Sequence, residues 1–307
     1  MLSKEDGLKI LNAPDAELPE LMRRAREIRD KHLGKRVQLC SIVNAKSGKC
    51  SENCAYCAQS VHHHTRVEEY DLLTVDEIVS KGIAAQKNGA CCFGIVTSGK
   101  ALPAQDIEKV IEAIRRLQKA DIFTAVSLGI LNKQTLQRLK DAGLKRYHHN
   151  LETAESYFTK ICTTHTYIDR VNTARAVKEV GLELCCGGIV GMGETKAQRV
   201  ELVMAITELD PDSVPLNFLN PIQGTALQAV QPMSRVDICR TIVLFRVFLP
   251  DKNISMIGGR EQLLGDKQDL VFESGSNGIL IGNYLTTSGN SIENDYELLR
   301  AAGLGKL

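Results

Sequence analysis

Short apolar runs rich in β-branched residues alternate with amphipathic helical segments along most of the chain, and this alternation restricts the fold more than any other feature. The strand candidates are residues 37–44, 91–97, 122–128, 146–151, 182–190, 213–219, 254–257 and 278–285. Eight βα units in one series predict an α/β fold with a single (β/α)8 TIM-type barrel. A doubly wound open sheet is the alternative. Both architectures place ligands at the carboxyl ends of the strands.

The helical segments have recognisable ends. Apolar residues at helical spacing over residues 18–28 predict a helix that ends at Gly34, and Thr74 with Glu77 has the spacing of a capping box. No Pro-, Ser- or Gly-rich linker interrupts the series. We therefore predict an N-terminal helical segment over residues 1–36, packed on a barrel formed by residues 37–307.

Composition and charge argue against several classes of function. The 307 residues carry a net charge of +1 with scattered charges, which argues against nucleic acid as a partner. The first residues do not resemble a signal peptide, and no apolar run is long enough to span a membrane, so we expect a cytoplasmic protein without a membrane partner. In that reducing compartment, the ten cysteines are expected to be thiols or metal ligands rather than disulfides.

Three cysteines follow the first strand candidate in one short loop. Cys50, Cys54 and Cys57 are close enough in sequence to bind one four-iron cluster and leave one iron open. A structural zinc site is the alternative, and it would need a fourth ligand. The candidates for that ligand are Cys40, His62, His63 and His64.

Two cysteine doublets lie on predicted strands: Cys91-Cys92 on the second and Cys185-Cys186 on the fifth. Side chains alternate between the faces of a strand, so each doublet alone predicts one cysteine inside the barrel and one outside. The recurrence of the doublet on a second strand indicates a second, deeper metal site. The isolated cysteines, predicted to be small core residues, are Cys40, Cys162 and Cys239.

Polar and glycine-rich segments follow other strand candidates. Glycines in the segment 187–194 would let a flat ligand approach the backbone, although their spacing does not fit a dinucleotide-binding loop. Arg170 could pair with a carboxylate or form a surface salt bridge. The polar residues at the predicted strand ends, which together favour a small-molecule site, are His148, His149, Asn150, Glu152, Asn217 and Asn220.

These motifs resemble those of the radical S-adenosylmethionine superfamily and, within it, of the biotin synthases, over residues 38–304. The superfamily pattern Cys-x3-Cys-x2-Cys, with Tyr56 before its last cysteine, is joined by a Gly-x-Ile-x-Gly-x-x-Glu element that begins at Gly187. The stretches that resemble biotin synthases more narrowly are residues 147–153, 185–191, 214–217 and 259–261.

The resemblance implies a 4Fe-4S cluster on Cys50, Cys54 and Cys57, whose open iron binds S-adenosyl-L-methionine. The other S-adenosylmethionine contacts that it implies are Tyr56, Asn150, Glu152, Arg170, Gly187, Ile189, Gly191 and Glu194, and the substrate contacts are Asn150 and Asn217. The implied reaction inserts sulfur into dethiobiotin to form biotin. A 5'-deoxyadenosyl radical abstracts hydrogen twice, and the sulfur comes from an auxiliary iron-sulfur cluster. The implied partners are a flavodoxin or ferredoxin electron donor and a second copy of the chain in a homodimer.

The sequence departs from the family at the auxiliary cluster. The usual ligands of a 2Fe-2S cluster, three cysteines and an arginine, align with Cys92, Ala125, Cys185 and Ser255. Because two of them are missing, we predict a larger, four-iron cluster held by Cys91, Cys92, Cys185 and Cys186. Alternatively, the doublets are used only in part and a non-cysteine residue completes the site. The competing functions are a related maturase or mutase, and a non-catalytic iron-sulfur or zinc-binding module.

Overall fold

The computed structural model of the protein describes residues 2–306. The strands within these residues are β1 Arg36–Lys46, β2 Cys92–Thr97, β3 Thr124–Ser127, β4 Arg146–His148, β5 Glu183–Cys185, β6 Gly188–Val190, β7 Ser213–Phe218, β8 Asn253–Met256, β9 Gly278–Leu280 and β10 Gly305–Lys306. The α-helices are α1 Lys4–Asn12, α2 Leu18–Leu33, α3 Val75–Lys87, α4 Ala104–Lys119, α5 Lys133–Asp141, α6 Glu155–Ile161, α7 Tyr167–Glu179, α8 Lys196–Leu209, α9 Arg235–Phe248, α10 Arg260–Leu264, α11 Leu270–Glu273 and α12 Ile292–Ala301. Among residues 2–306, no helix is long and apolar enough to cross a membrane.

The strands close into a parallel barrel. Each of β1 to β4 pairs with the next strand along the chain. β5 then pairs with β7, β8 and β9 follow, and β9 pairs with β1 again at Gln38↔Gly278. The two short strands β5 and β6 occupy one barrel position, because both pair with β7. The (β/α)8 barrel predicted from the alternating pattern is therefore confirmed, and the open sheet is excluded.

The predicted fifth strand, 182–190, is divided between β5 and β6. Cys185 pairs with Ser213 and Gly188 with Leu216, which leaves the two intervening residues opposite Val214 and Pro215. Proline has no amide hydrogen to donate to the ladder, so regular pairing stops there. The divided strand remains within the barrel wall.

The faces of the barrel strands are fixed by packing on both sides. Phe93 faces the helices, because a Cβ added to Gly82 of α3 would lie 3.0 Å from its ring. A Cβ on the next residue, Gly94, would lie 3.0 Å from Ile42 and 3.5 Å from His148, inside the barrel. Side chains alternate, so even-numbered residues of β1 and β2 point into the barrel. The outward faces join the helices in one apolar core.

The helices α1 and α2 precede the barrel and pack on its outer helices. Gly7 of α1 is close enough to α8 that an added Cβ would lie 2.7 Å from Val200, and Arg29 of α2 donates to the carbonyl oxygen of Phe272 at 2.7 Å. The helix α2 ends as predicted, with Gly34 at φ +68° after its last turn. The division of the chain into domains at residue 36 stays a prediction.

The capping box predicted at the start of α3 is present, and it yields a stability prediction. Thr74 Oγ1 accepts from the amide of Glu77 at 3.3 Å, and the Glu77 carboxylate accepts from the amide of Thr74 at 2.8 Å. We expect Thr74→Ala to lower the free energy of unfolding by about 1 kcal/mol, because one amide of the first turn loses its acceptor. Urea unfolding of the two chains measures the difference. Thr74→Ser, which keeps the hydroxyl, should recover most of the loss, and equal losses in both variants would contradict the capping role.

Candidate functional site

The three-cysteine loop lies at the carboxyl end of β1, over the mouth of the barrel. Its backbone is closed on itself, because the amide of Cys50 donates to Gln59 at 3.0 Å and the amide of Cys57 donates to Cys54 at 2.9 Å. The three cysteines line one cavity of about 190 Å³. Other residues around this cavity are Tyr56, Val96, Ser127, His148, Asn150, Glu152, His165 and Arg170. The barrel thus brings together residues that are more than 100 positions apart in the sequence.

A buried ion pair forms one wall of this cavity. Glu152 has a left-handed backbone, with φ +69°, which is uncommon for a residue other than glycine. Its carboxylate accepts from Arg170 Nη2 at 2.7 Å, and both side chains are largely buried. Arg170 also donates from Nε to the carbonyl oxygen of Asn150. Arg170 is therefore not a surface residue but the support that fixes the end of the fourth barrel strand.

The two predicted amide contacts, Asn150 and Asn217, bind neighbouring strand ends. Asn150 Oδ1 accepts from the amide of Gly187 at 3.1 Å. Asn217 donates from Nδ2 to the carbonyl oxygen of Gly188 at 3.2 Å and accepts from the amide of Gly258 at 2.9 Å. Both carboxamides are thus oriented by the backbone at the mouth of the barrel.

A second cavity, of about 230 Å³, adjoins the first and shares Tyr56 with it. Its walls are mostly apolar, with Ile42, Ile189 and Ile257 among them, and Asn217 is one of its few polar groups. Tyr56 lies between the two cavities, where burial raises the pKa of its phenol well above the usual range. This space suits a small ligand that is apolar over most of its surface.

The glycine-rich segment 187–194 is held in place by side chains that contact its backbone. Gly191 has φ +85°, and a Cβ there would lie 2.8 Å from Met233, so only glycine fits. The Glu194 carboxylate accepts from the amides of Gly191 and Met192, each at 2.8 Å, and pairs with Arg199 at 2.9 Å. The side chain of Glu194 thus holds its own loop, and the predicted adenine contact would come from the backbone that it shapes.

Inside the barrel, below the mouth, cysteines of three strands meet around one histidine. Cys40 of β1 lies opposite Cys92 of β2, and the interaction of the two thiols raises the pKa of Cys40 and lowers that of Cys92. His148 lies opposite Cys185 in the strand register, and its ring interacts with the thiols of Cys185 and Cys92. Burial opposes the charged imidazolium, but Cys185 and Cys92 outweigh it and raise the pKa of His148 to about 10. Three thiols and an imidazole therefore converge in the barrel.

The four cysteines predicted for the auxiliary cluster are not brought together. Cys186 is fully buried in the apolar core between the barrel and its helices, on the opposite face from Cys185. Cys91 lies one residue before β2, and its thiol contacts the carbonyl oxygen of Leu39 at 3.3 Å. Strand alternation separates the members of each doublet, so one cysteine of each reaches the interior. Cys40, which we predicted to be a core residue, lies opposite Cys92 in the barrel wall.

The barrel interior around these thiols has polar atoms without partners. Among residues 2–306, Gln38 Oε1 and Ser255 Oγ are buried and have no hydrogen-bond partner. Gly278 beside them leaves room, because a Cβ there would lie 2.0 Å from Ser255 Oγ. Buried polar atoms usually have a partner, so these orphans fit an interior built around a further group.

A further group of residues near the three-cysteine loop was not predicted from the sequence to be functional. Cys162 and His165 lie between α6 and α7, and a ring nitrogen of His165 and the sulfurs of Cys54 and Cys162 lie within 4.8 Å of one another. Glu52 is part of the same group, since its Oε2 lies 2.6 Å from His165 Nδ1. Burial favours a neutral carboxyl, but hydrogen bonds from His165 and Thr164 lower the pKa of Glu52. The spacing Cys162-x2-His165, typical of metal ligands, is the signal that could have found them.

Family models match most of the chain. The Radical SAM superfamily matches residues 45–206, and the Biotin and Thiamin Synthesis associated domain matches residues 215–305. Among solved structures, a methylornithine synthase has a TM-score of 0.88 at 20% identity, covering 100% of this chain and 94% of that one. The FeFe-hydrogenase maturase HydG from Carboxydothermus hydrogenoformans has a TM-score of 0.86 at 18% identity, covering 99% and 75%. At these identities, the structural likeness supports the fold alone.

Relatives named biotin synthase match nearly the full length. The protein from Citrifermentans bemidjiense is 45% identical over 304 residues, covering 99% of this chain and 93% of the relative. The protein from Geotalea daltonii is 46% identical over 302 residues, covering 98% and 92%. With identity at this level across both matched regions, the chain belongs to the biotin synthase family within the radical S-adenosylmethionine superfamily.

Proposed function

We propose that this protein converts dethiobiotin to biotin by inserting sulfur between two unactivated carbons. The observation that carries the proposal is the order of groups in the barrel: three cysteines on a cavity at the mouth, an apolar cavity that adjoins it, and three further cysteines on strands that line the interior. This order would place a substrate between a radical source and a sulfur source. Acids and bases of side chains cannot break such C–H bonds, so the family's cofactors would supply the radical chemistry.

The cysteine loop would hold the 4Fe-4S cluster, and the residues beside it would hold S-adenosylmethionine. Cys50, Cys54 and Cys57 are three potential thiolate ligands on one cavity, which fits a cluster with one open iron. Glu152, which pairs with Arg170, would accept hydrogen bonds from ribose hydroxyls. The backbone of the segment 187–194 would receive the adenine.

We place the auxiliary cluster on Cys40, Cys92 and Cys185 rather than on the two doublets. These three side chains share the barrel interior with His148, whereas Cys91 and Cys186 do not. Three thiolates fit a four-iron cluster with one iron that has no cysteine ligand. His148 would then be the non-cysteine group beside the cluster. Arg146, whose guanidinium is buried near Cys92 and Cys185, would offset their negative charge.

The apolar cavity around Asn217 would bind dethiobiotin. Its volume of about 230 Å³ and its apolar walls suit the hydrocarbon part of the substrate. Asn150 and Asn217 would contact the polar ureido ring, since both carboxamides lie at the mouth of the barrel. The cavity extends to Ile257 on one side and Tyr56 on the other, which would keep water from the reacting carbons.

The remaining partners follow from this chemistry. A flavodoxin or ferredoxin would donate the electrons, and the chain would act as a homodimer, as the family resemblance implies. We place the protein in the cytoplasm, because its ten cysteines are free and its clusters would need a reducing compartment.

The test is an anaerobic incubation of iron- and sulfide-reconstituted protein with dethiobiotin, S-adenosylmethionine and a strong reductant. We expect biotin and 5'-deoxyadenosine at about two deoxyadenosines per biotin, because each C–S bond requires one hydrogen abstraction. Mass spectrometry follows both products. Cys57→Ala should abolish both. Cys239→Ala should leave both unchanged, because Cys239 is a buried residue of α9 that packs against α2. Deoxyadenosine without biotin would favour a related maturase or mutase, and an absence of both would favour a non-catalytic metal-binding module.

A further inference from the structure

Two hydrogen-bonding side chains from outside the three-cysteine loop lie close to the sulfur of Cys54. Cys162 and His165 are buried, and their sulfur and ring nitrogen lie within 4.8 Å of each other and of Cys54 Sγ. Cys162 is not one of the three cysteines of the loop and comes from the segment after α6. Cys54 therefore has a neighbour that Cys50 and Cys57 are not observed to share.

The neighbours of His165 fix the position of its ring proton. Arg170 Nη1 lies 3.1 Å from His165 Nε2, and a guanidinium can only donate, so Nε2 is the acceptor. Nδ1 therefore carries the proton and donates it to Glu52 Oε2 at 2.6 Å. The same Nδ1 lies 3.3 Å from Cys162 Sγ. Nδ1 therefore has no lone pair to accept from Cys162, and the thiol proton of Cys162 needs another acceptor.

The nearby oxygen atoms are already engaged. Asn53 Oδ1, at 3.5 Å from Cys162 Sγ, accepts from the amides of Thr163 at 3.0 Å and Thr164 at 3.3 Å. Thr164 Oγ1, at 3.4 Å, accepts from the amide of Asn53 and donates to Glu52. A thiolate on iron is charged and therefore a stronger acceptor than a neutral hydroxyl. In the absence of the cluster the Cys162 thiol donates to Asn53 Oδ1, and Cys54 Sγ, once it is a thiolate on iron, is the stronger acceptor within 4.8 Å.

We propose that Cys162 donates a hydrogen bond from its thiol to the sulfur of Cys54 when Cys54 binds the cluster, and so raises the cluster's reduction potential. His165 and Glu52 hold the donor in place, and Cys162 is a positioning residue. The inference rests on the proposed function, which puts the cluster on the loop. Reduction adds negative charge to the cluster, and hydrogen bonds to its sulfurs stabilise that charge.

The experiment measures the midpoint potential of the reconstituted protein by redox titration followed by electron paramagnetic resonance. The signal to follow is the one that changes when S-adenosylmethionine is added, which separates this cluster from the auxiliary one. We expect Cys162→Ala to lower the ratio of reduced to oxidised cluster at a fixed potential by about threefold to tenfold, where tenfold is 59 mV for one electron. Cys162→Ser keeps a donor and should stay near the unsubstituted protein. Cys239→Ala, another buried cysteine, is the matched control and should not shift the potential.

A second measurement needs no substitution. Electron-nuclear double resonance of the reduced protein should detect an exchangeable proton coupled to the cluster, which disappears in D2O. The inference is overturned if that proton is absent, or if Cys162→Ala retains the cluster at an unchanged potential. A protein that forms no cluster responsive to S-adenosylmethionine overturns the proposed function and the inference with it. A shifted potential in a protein that makes no biotin supports the inference alone.

Discussion

Cys40→Ala is expected to abolish biotin formation while leaving S-adenosylmethionine cleavage intact. Cys40 is a half-buried side chain of β1 that lies opposite Cys92 of β2, about one strand spacing away. Removing one of three proposed thiolates should cost the auxiliary cluster its attachment. The loop that holds Cys50, Cys54 and Cys57 is at the other end of the interior, so its cluster should form normally. We therefore expect 5'-deoxyadenosine to form as before. The rate of biotin formation should fall at least a hundredfold below that of the unsubstituted protein, which is more than about 2.7 kcal/mol in the activation barrier.

Iron analysis distinguishes a cluster held by Cys40, Cys92 and Cys185 from one held by the two cysteine doublets. The unsubstituted protein should hold about eight irons per chain, as two four-iron clusters require, and Cys40→Ala about four. Cys186→Ala is the matched control: it removes a buried cysteine sulfur from the apolar core and should keep both iron and biotin formation, at a stability cost of about 1 kcal/mol. If Cys186→Ala loses the iron and Cys40→Ala keeps it, the doublets hold the cluster after all. About six irons in the unsubstituted protein would instead indicate a 2Fe-2S auxiliary cluster.

The barrel could be predicted because its signal is local. Apolar runs that alternate with amphipathic helices specify each βα unit from neighbouring residues alone, and Thr74 with Glu77 specifies a helix start in the same way. The one divided strand is also explained by a local feature, although on another strand. Pro215 interrupts the ladder opposite the residues between β5 and β6.

The interior site could be predicted only in part because it depends on register between strands. Alternation already implied that Cys91 and Cys92 point to opposite faces, but it did not say which one faces inward. The pairing of Cys40 with Cys92 follows from how far β1 is shifted along β2, and no short stretch of sequence carries that shift. The same applies to Cys162, whose contact with Cys54 spans more than 100 residues.

Glu194→Ala is expected to destabilise the fold by about 3–5 kcal/mol, the usual cost of removing one partner of a buried ion pair. The side chains of Glu194 and Arg199 are only 2% and 9% exposed, and their closest atoms are 2.9 Å apart. Without the carboxylate, the Arg199 guanidinium would keep, among residues 2–306, only Thr241 as a hydrogen-bond partner, at 3.2 Å. The amides of Gly191 and Met192 would also lose their acceptor. The loss of stability and the loosening of the glycine-rich loop thus have one cause.

The matched control is an exposed pair of the same chemistry. Arg235 and Asp266 are 3.0 Å apart, but their side chains are 47% and 72% exposed, so Asp266→Ala should cost at most about 1 kcal/mol. Urea unfolding of the cluster-free chains compares the two substitutions directly. Glu194→Ala should also weaken binding of S-adenosylmethionine to the reconstituted protein, because the backbone at Gly191 would no longer be held in its left-handed conformation. Equal, small losses of stability from the two substitutions would mean that water reaches Arg199 and that the loop is held by its glycines and Met233 instead.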